Sequence, residues 1–360
     1  MTNVVICCDG LDPTYLGDVD TPGWDAIAAA GRAGTCSAAV PTLTNVNNVG
    51  IVTGVPPRDH GITGNTYYDA ERGDRVYMTD PSFLRHDSVL QRAADGGDRA
   101  GALVVKEKLR RMIGRGCVVA ASAEDPPTWL EEAIGPAPDI YSGHASEWVL
   151  NAAAFVLADR DLDWLYVSTT DVVPHKHAPD ESRAVEWIRA LDEGIATVAD
   201  RADDVVVTAD HGMSRKTTVV DLESILAAAG HDPVVVRLIR DRHTYHHRNL
   251  GGAAYVHVDD PDAAGAVIRD HPDIDVVCSR AEAAARFDLP PDRIGDLVVL
   301  GAESAVFGPV EDGHVGPVDV RSHGSHHEIT VPYATTLDGA LDRNRDAFDV
   351  FETSPSRDTA

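Results

Sequence analysis

The chain has 360 residues and carries 31 Lys+Arg against 58 Asp+Glu, a formal charge of −27 with histidines neutral. That length can bury a sizeable core, and the charge excludes a nucleic-acid polymer as partner, because its field repels a polyanion and no basic run opposes it. Disorder is excluded too: apolar residues make up 43% and recur in regular segments.

A strand is predicted at Val4 to Cys8, an Ala-rich helix from Thr21-Pro22 through Ala30, and a strand at Gly34 to Val40. Further strands are predicted at Ala102 to Val105, Cys117 to Ala121, Trp164 to Ser168, Val205 to Thr208 and Val234 to Ile239. Helices are expected at Ala145 to Asp159 and Asp180 to Ala202. Ala253 to His257 and Leu297 to Leu300 read as weaker strands around a helix at Pro261 to Asp270. This alternation gives an α/β fold with a mostly parallel sheet.

Three of the apolar runs end in an acidic residue: VVICC in Asp9, LYVSTT in Asp171 and VVVTA in Asp210. A lone Asp after a strand usually caps a helix or forms a turn. In an open α/β sheet, however, ligands bind at the carboxyl ends of the strands, so three such carboxylates can converge on one site. Two of them have histidines close behind, as Asp171-x-x-x-His175 and Asp210-His211. Carboxylate with imidazole suits zinc or a related first-row divalent ion, and two such clusters can clamp the attacking and leaving oxygens of an in-line displacement. Thr44, in the loop PTLTNVNN before an apolar helix, reads either as a cap or as a nucleophile beside a metal.

The acid is 43 Asp and 15 Glu spread over every segment, against 27 Arg and only four lysines: Lys106, Lys108, Lys176 and Lys216. This is the pattern of a salt-adapted surface, since high salt screens self-repulsion within a few ångströms. Five cysteines (Cys7, Cys8, Cys36, Cys117, Cys278) without a CxxC pair read as buried hydrophobes in a reducing compartment. With no basic leader and no apolar run of membrane-spanning length, the expectation is a cytoplasmic protein with no membrane partner. A homodimer is the default assembly.

In order along the chain, Asp9, Thr44-Asn45, Asp171-x-x-x-His175, Asp210-His211-Gly212-Met213 and His323-Gly324 resemble the alkaline phosphatase superfamily, in its nucleotide pyrophosphatase/phosphodiesterase branch. The segments carrying the resemblance are PTLTNVNNVGIVTGVPPRDHGITGN, STTDVVPHKHAP, TADHGM, RIGDLVVLG and RSHGS, from Asp9 to about Glu328. Within that branch the chain is most similar to the phosphonoacetate hydrolases. The resemblance implies a three-layer core with a mostly parallel sheet in one domain over 1–352, cap insertions at about 88–140 and 240–318, and a disordered tail at 353–360. It implies two divalent ions, zinc by preference: one on Asp171, His175 and His323, the other on Asp9, Asp210, His211 and the nucleophile Thr44. Asn65 would hold a phosphoryl oxygen. Residue type alone does not separate His323 from His326 or His327; the HG dipeptide does.

The implied substrate is a small anionic phosphonate or phosphoester, and the implied reaction is hydrolysis of phosphonoacetate to acetate and phosphate through a phosphoryl-threonine. Lys106 and Lys108 match a paired-lysine segment that binds the substrate carboxylate. A solvated helix start is the ordinary meaning of such a pair, but in a chain nearly stripped of lysine a retained ammonium points to a specific ligand. The family also places an Arg near VVVRLIRDRHTYHHRNLGG. Arg237, Arg240 and Arg242 are candidates, and spacing favours Arg237. Arg248 replaces an expected Gly, and the roles of His243, His246 and His247 stay open. The alternatives are a phosphodiesterase or nucleotide pyrophosphatase of the same fold, a phosphomonoesterase or phosphomutase, and a binding protein without chemistry.

Overall fold

The strand Asn3–Cys7 (NVVIC) is apolar on both of its alternating sides, and residues 4–7 are buried, so it needs cover on both faces. It takes the central place in a seven-stranded sheet whose order is Arg32–Ser37, Thr330–Thr335, Asp204–Thr208, Asn3–Cys7, Trp164–Ser168, Ala100–Val104, Val119–Ser122. The last five pair in parallel; Thr330–Thr335 runs antiparallel to both of its neighbours. The helices Pro22–Ala30, His144–Asp159 and Ser182–Ala199 pack together, as do Thr44–Thr53, Val89–Gly96 and Glu107–Ile113. With the buried sheet between these two groups, the chain is a mixed α/β protein with a mostly parallel central sheet. This structure, a computed structural model, describes residues 1–17, 19–240 and 248–353.

The expectation for 88–140 is corrected. That segment supplies Ala100–Val104 and Val119–Ser122, two strands of the central sheet, so it belongs to the core. The physical reason is plain in AGALV, which is buried along its whole length and can only be an interior strand. The segment 240–318 supplies three strands of a separate antiparallel sheet in the order Val234–Arg237, Ala253–His257, Leu297–Gly301, Ile274–Ser279, whose own core includes Val256, Leu226 and Ile268. A three-stranded sheet of Ala305–Phe307, Ser214–Val220 and Val315–Ser322 adjoins it. Of the expected tail only Thr353 lies within the described residues. Among these residues no helix is long and apolar enough to cross a membrane.

One ion pair beside these sheets is fully buried. Lys216 Nζ, fully buried, donates to Glu328 Oε1 at 2.7 Å and to the Glu303 carbonyl at 2.8 Å. Glu328 also accepts from the Ser214 hydroxyl and, through Oε2, from the Ser325 amide at 3.0 Å. Removing one partner of such a pair leaves an uncompensated buried charge. Lys216→Ala is therefore expected to cost about 3–5 kcal/mol of unfolding free energy in urea titrations, with much of the loss recovered in the Lys216→Met/Glu328→Gln double variant. A single variant within about 1 kcal/mol of the parent would contradict this reading.

Candidate metal centre

Register brings the strand-end carboxylates together. Cys7 pairs with both Ser168 and Thr208, and Ser168 pairs in turn with Val104. The four strands thus end level, and Asp9, Asp171, Asp210 and Lys106 all follow within three residues of that row. The turn after the first strand is tight: Gly10 has φ +74°, and a Cβ there would lie 2.9 Å from the Asp171 Cβ, so only glycine fits without strain. Its amide and that of His211 both donate to Asp210 Oδ1 at 3.0 Å.

Two ligand groups result, sharing Asp171. Asp171, His175 and His323 form one; Asp9, Asp171 and His211 form the other. His175 Nε2 lies 3.0 Å and His323 Nε2 3.7 Å from Asp171 Oδ2. His211 Nε2 lies 3.6 Å from Asp9 Oδ1 and 3.5 Å from Asp210 Oδ2. All six side chains are buried. Each imidazole has its Nδ1 against a main-chain carbonyl: His175 on Arg321 at 2.7 Å, His323 on Thr42 at 2.6 Å, His211 on Gly212 at 3.0 Å. That contact fixes the Nδ1–H tautomer and leaves Nε2 of all three rings as the inward-facing donor, the arrangement a metal-ligating histidine needs. Gly324, at φ +115° and with a would-be Cβ 3.1 Å from the Gly252 amide, sets the turn that presents His323.

The electrostatics ask for cations. Burial, then the neighbouring Asp171 and Asp210 carboxylates, push the Asp9 carboxyl well above its usual range, with only Lys106 opposing. Asp9 Oδ2 is buried without a hydrogen-bond partner among the described residues, and the Lys106 ammonium lies 3.7 Å from it. Burial, then the rings of His211 and His175, hold His323 well below the ordinary imidazole value, hence neutral. Three buried carboxylates and three inward imidazole nitrogens match a divalent-cation centre, so the residues present fit divalent metal ions.

Thr44 is the first residue of the helix Thr44–Thr53. Its Oγ1 lies 3.2 Å from His211 Nε2 and 3.4 Å from Asp9 Oδ1, at the helix end where backbone N–H groups favour an anion. Asn48, one turn along, was given no role on sequence. Its Nδ2 donates to Asp210 Oδ2 at 3.0 Å and to the Thr44 carbonyl at 2.9 Å, while its Oδ1 accepts from Tyr166 and Ser168, each at 2.7 Å. It links the helix Thr44–Thr53 to the Asp210 carboxylate.

Lys106 Nζ reaches Asp171 Oδ1 at 3.5 Å as well as Asp9. Lys108 Nζ lies 3.4 Å from Asn65 Oδ1, which also accepts from Asn45. Between the two lysines, Glu107 anchors the segment: burial alone would raise its pKa, but hydrogen bonds from Arg110, Ser122 and Arg111 bring it down to about 2. A cavity of about 340 Å³ opens above this apparatus, lined by Thr44, Asn65, Lys106, Lys108, Arg240 and His323 among others. Arg237 lies apart, in a separate cavity of about 250 Å³ with Arg75 and Arg240. Arg240 is thus the candidate that faces Thr44. Arg242, His243, His246 and His247 lie outside the described residues. Residue type could not separate Arg240 from Arg237, because Arg237 ends the strand Val234–Arg237 and Arg240 follows it three residues on.

A model of the type I phosphodiesterase/nucleotide pyrophosphatase family matches residues 3–327. The fold superposes on phosphonoacetate hydrolase from Sinorhizobium meliloti 1021 in complex with phosphonoacetate, with TM-score 0.89, 32% identity, and coverage of 97% of this chain and 94% of that one. For the complex of the same enzyme with phosphonoformate the values are 0.88, 33%, 97% and 94%. In sequence the chain is 27% identical over 237 residues to human ectonucleotide pyrophosphatase/phosphodiesterase family member 7, covering 59% of this chain and 47% of that protein. The match thus spans about half the length of that curated relative.

Proposed function

The chain belongs to the type I phosphodiesterase/nucleotide pyrophosphatase family of the alkaline phosphatase superfamily, and from that premise we propose that it hydrolyses the carbon–phosphorus bond of phosphonoacetate to acetate and phosphate. The observation carrying this reading is the placement of Lys106 and Lys108 in one cavity with Thr44 and the metal-binding residues. Two of the four lysines of the chain meet where a substrate carboxylate would lie. The likeness to an enzyme solved with phosphonoacetate supports the same substrate.

Divalent ions on the two ligand groups, zinc by the donor set, would neutralise phosphoryl oxygens and acidify a nearby hydroxyl or water. The Thr44 hydroxyl oxygen attacks phosphorus. As the O–P bond forms, the P–C bond breaks and its electron pair passes to the methylene carbon, where it delocalises into the adjacent carboxylate. Carbon is a poor leaving group, so stabilising this enolate-like charge is the step the substrate demands; the Lys106 and Lys108 ammonium groups lie in the cavity that receives it. Asn65, its carbonyl engaged by Asn45 and Lys108, offers its N–H groups to a phosphoryl oxygen. The methylene takes up, through solvent, the proton that the Thr44 hydroxyl gives up, and leaves as acetate. One water then hydrolyses the phosphoryl-threonine, its oxygen passing to phosphate and a proton restoring the hydroxyl.

A phosphodiester substrate is the second reading, since Tyr77 and Tyr141 line the same cavity and offer faces on which a base could stack. Phosphate release from phosphonoacetate, a diester and a monoester, in high salt with added zinc, decides between them. Phosphonoacetate is expected to be the preferred substrate. Lys108→Ala should lower its kcat/KM by about 10²–10³-fold, the size of losing one transition-state charge donor, while diester hydrolysis changes little. Diester hydrolysis without release from phosphonoacetate would reverse the assignment.

A further inference from the structure

Two histidines of the sequence have no part in the reaction above. His326 and His327 follow His323 on the same turn but face away from the buried centre, toward Asp275. His327 Nε2 lies 2.8 Å and His326 Nε2 3.7 Å from the same oxygen, Asp275 Oδ2. The buried group shows nearly the same spacing, with its two Nε2 atoms 3.0 and 3.7 Å from Asp171 Oδ2. Ligand atoms bound tetrahedrally at about 2.0–2.2 Å stand roughly 3.3 Å apart, so both trios close on an ion with shifts of about half an ångström.

We infer that Asp275, His326 and His327 form a second, surface site for a borderline divalent ion of the zinc, nickel or copper class. Two imidazoles and one carboxylate select such ions over magnesium or calcium, which take all-oxygen sites. A lone surface His–Asp hydrogen bond would explain His327, but it would leave the second imidazole without a reason to converge on the same oxygen. The backbone favours the ion as well. The register of Ile274–Ser279 against Leu297–Gly301 shifts between Ile274 and Val276, which makes Asp275 the extra residue. Bulges of this kind re-aim a side chain. The three side chains are 25–36% exposed, so the remaining coordination positions would be filled by water and the ion would exchange more readily than in the buried centre.

Such an ion would tie the edge strand of the second sheet to the turn that presents His323. That turn is already held by Ser325 Oγ on the Gly301 carbonyl at 3.0 Å and by the Glu328–Lys216 pair. The site stands independently of the substrate, and its test does not use phosphonoacetate. The zinc-loaded full-length enzyme is equilibrated by dialysis against zinc alone, at micromolar free concentration, and zinc per chain is measured by elemental analysis. The parent is expected to carry one equivalent more than Asp275→Asn and one more than His327→Gln. In parallel, zinc added beyond filling of the buried centre should raise the melting temperature of the parent further, an increment absent from both variants. Equal zinc content in parent and variants, or an unchanged increment, would overturn the site. A variant that fails to fold is replaced by His326→Gln, read by the same two measurements.

Discussion

Thr44→Ala should lower turnover on phosphonoacetate by about 10⁴-fold or more while KM stays within a few-fold, the pattern of an interaction made only in the transition state. The substitution removes the attacking oxygen and little else. Among the described residues the hydroxyl bonds with His211 and Asp9, whereas Lys106, Lys108, Asn65 and Arg240, which line the same cavity, hang from other elements. The helix itself is held by Asn48, through the Thr44 carbonyl and Asp210, and does not depend on the hydroxyl. Metal content and melting temperature should therefore stay near those of the parent. Acid quenching during turnover should trap a phosphorylated chain in the parent and none in the variant. Turnover within about tenfold of the parent, a barrier change of only about 1.4 kcal/mol, would mean that another oxygen attacks.

The convergence of the strand-end carboxylates was legible in the sequence because each follows an apolar run, and parallel register then forces level strand ends into one place. The lysine pair was legible as a compositional anomaly, and the structure extends that reading. Lys216 is fully buried in an ion pair, Lys106 and Lys108 line the cavity, and only Lys176 is an exposed side chain. Elsewhere local pattern failed for identifiable reasons. Thr330–Thr335 joins the central sheet although Pro332 interrupts it, which would ordinarily demote a strand to an edge. It is tolerated because the strand runs antiparallel and makes only two residue pairs with Asp204–Thr208. Ser214–Val220, reading SRKTTVV, hides a strand whose buried cation is satisfied by a glutamate 112 residues away. The choice between Arg237 and Arg240 depends on which way the chain turns after Arg237, and no periodicity encodes that.

The charge balance also takes on a spatial meaning. A chain at −27 repels anions at long range, yet its cavity gathers Lys106, Lys108, Arg111 and Arg240 beside a carboxylate and imidazole cluster suited to divalent ions. Local field inside a cleft can oppose the global one because low-dielectric walls and bound ions dominate at close quarters.

That dependence on bound ions sets the second large expectation. Dialysis against a strong chelator should abolish hydrolysis of every substrate in the panel and lower the melting temperature, with both recovered on adding zinc. The activity loss follows because the ions would acidify the Thr44 hydroxyl and neutralise the phosphoryl oxygens, and their removal leaves the Lys106 ammonium as the cation beside Asp9. The stability loss follows from linkage: an ion present at about 1,000 times its dissociation constant stabilises the folded chain by about 4 kcal/mol per site. Its removal also leaves Asp9, Asp171 and Asp210 buried against one another. Magnesium should restore little, since it binds imidazole poorly and keeps its waters, whereas manganese or cobalt should restore part of both properties. Asp171→Asn should reproduce the chelated state in one step, because Asp171 belongs to both ligand groups. Chelated protein that retained turnover and melted with the parent would remove the metal centre from the reaction altogether.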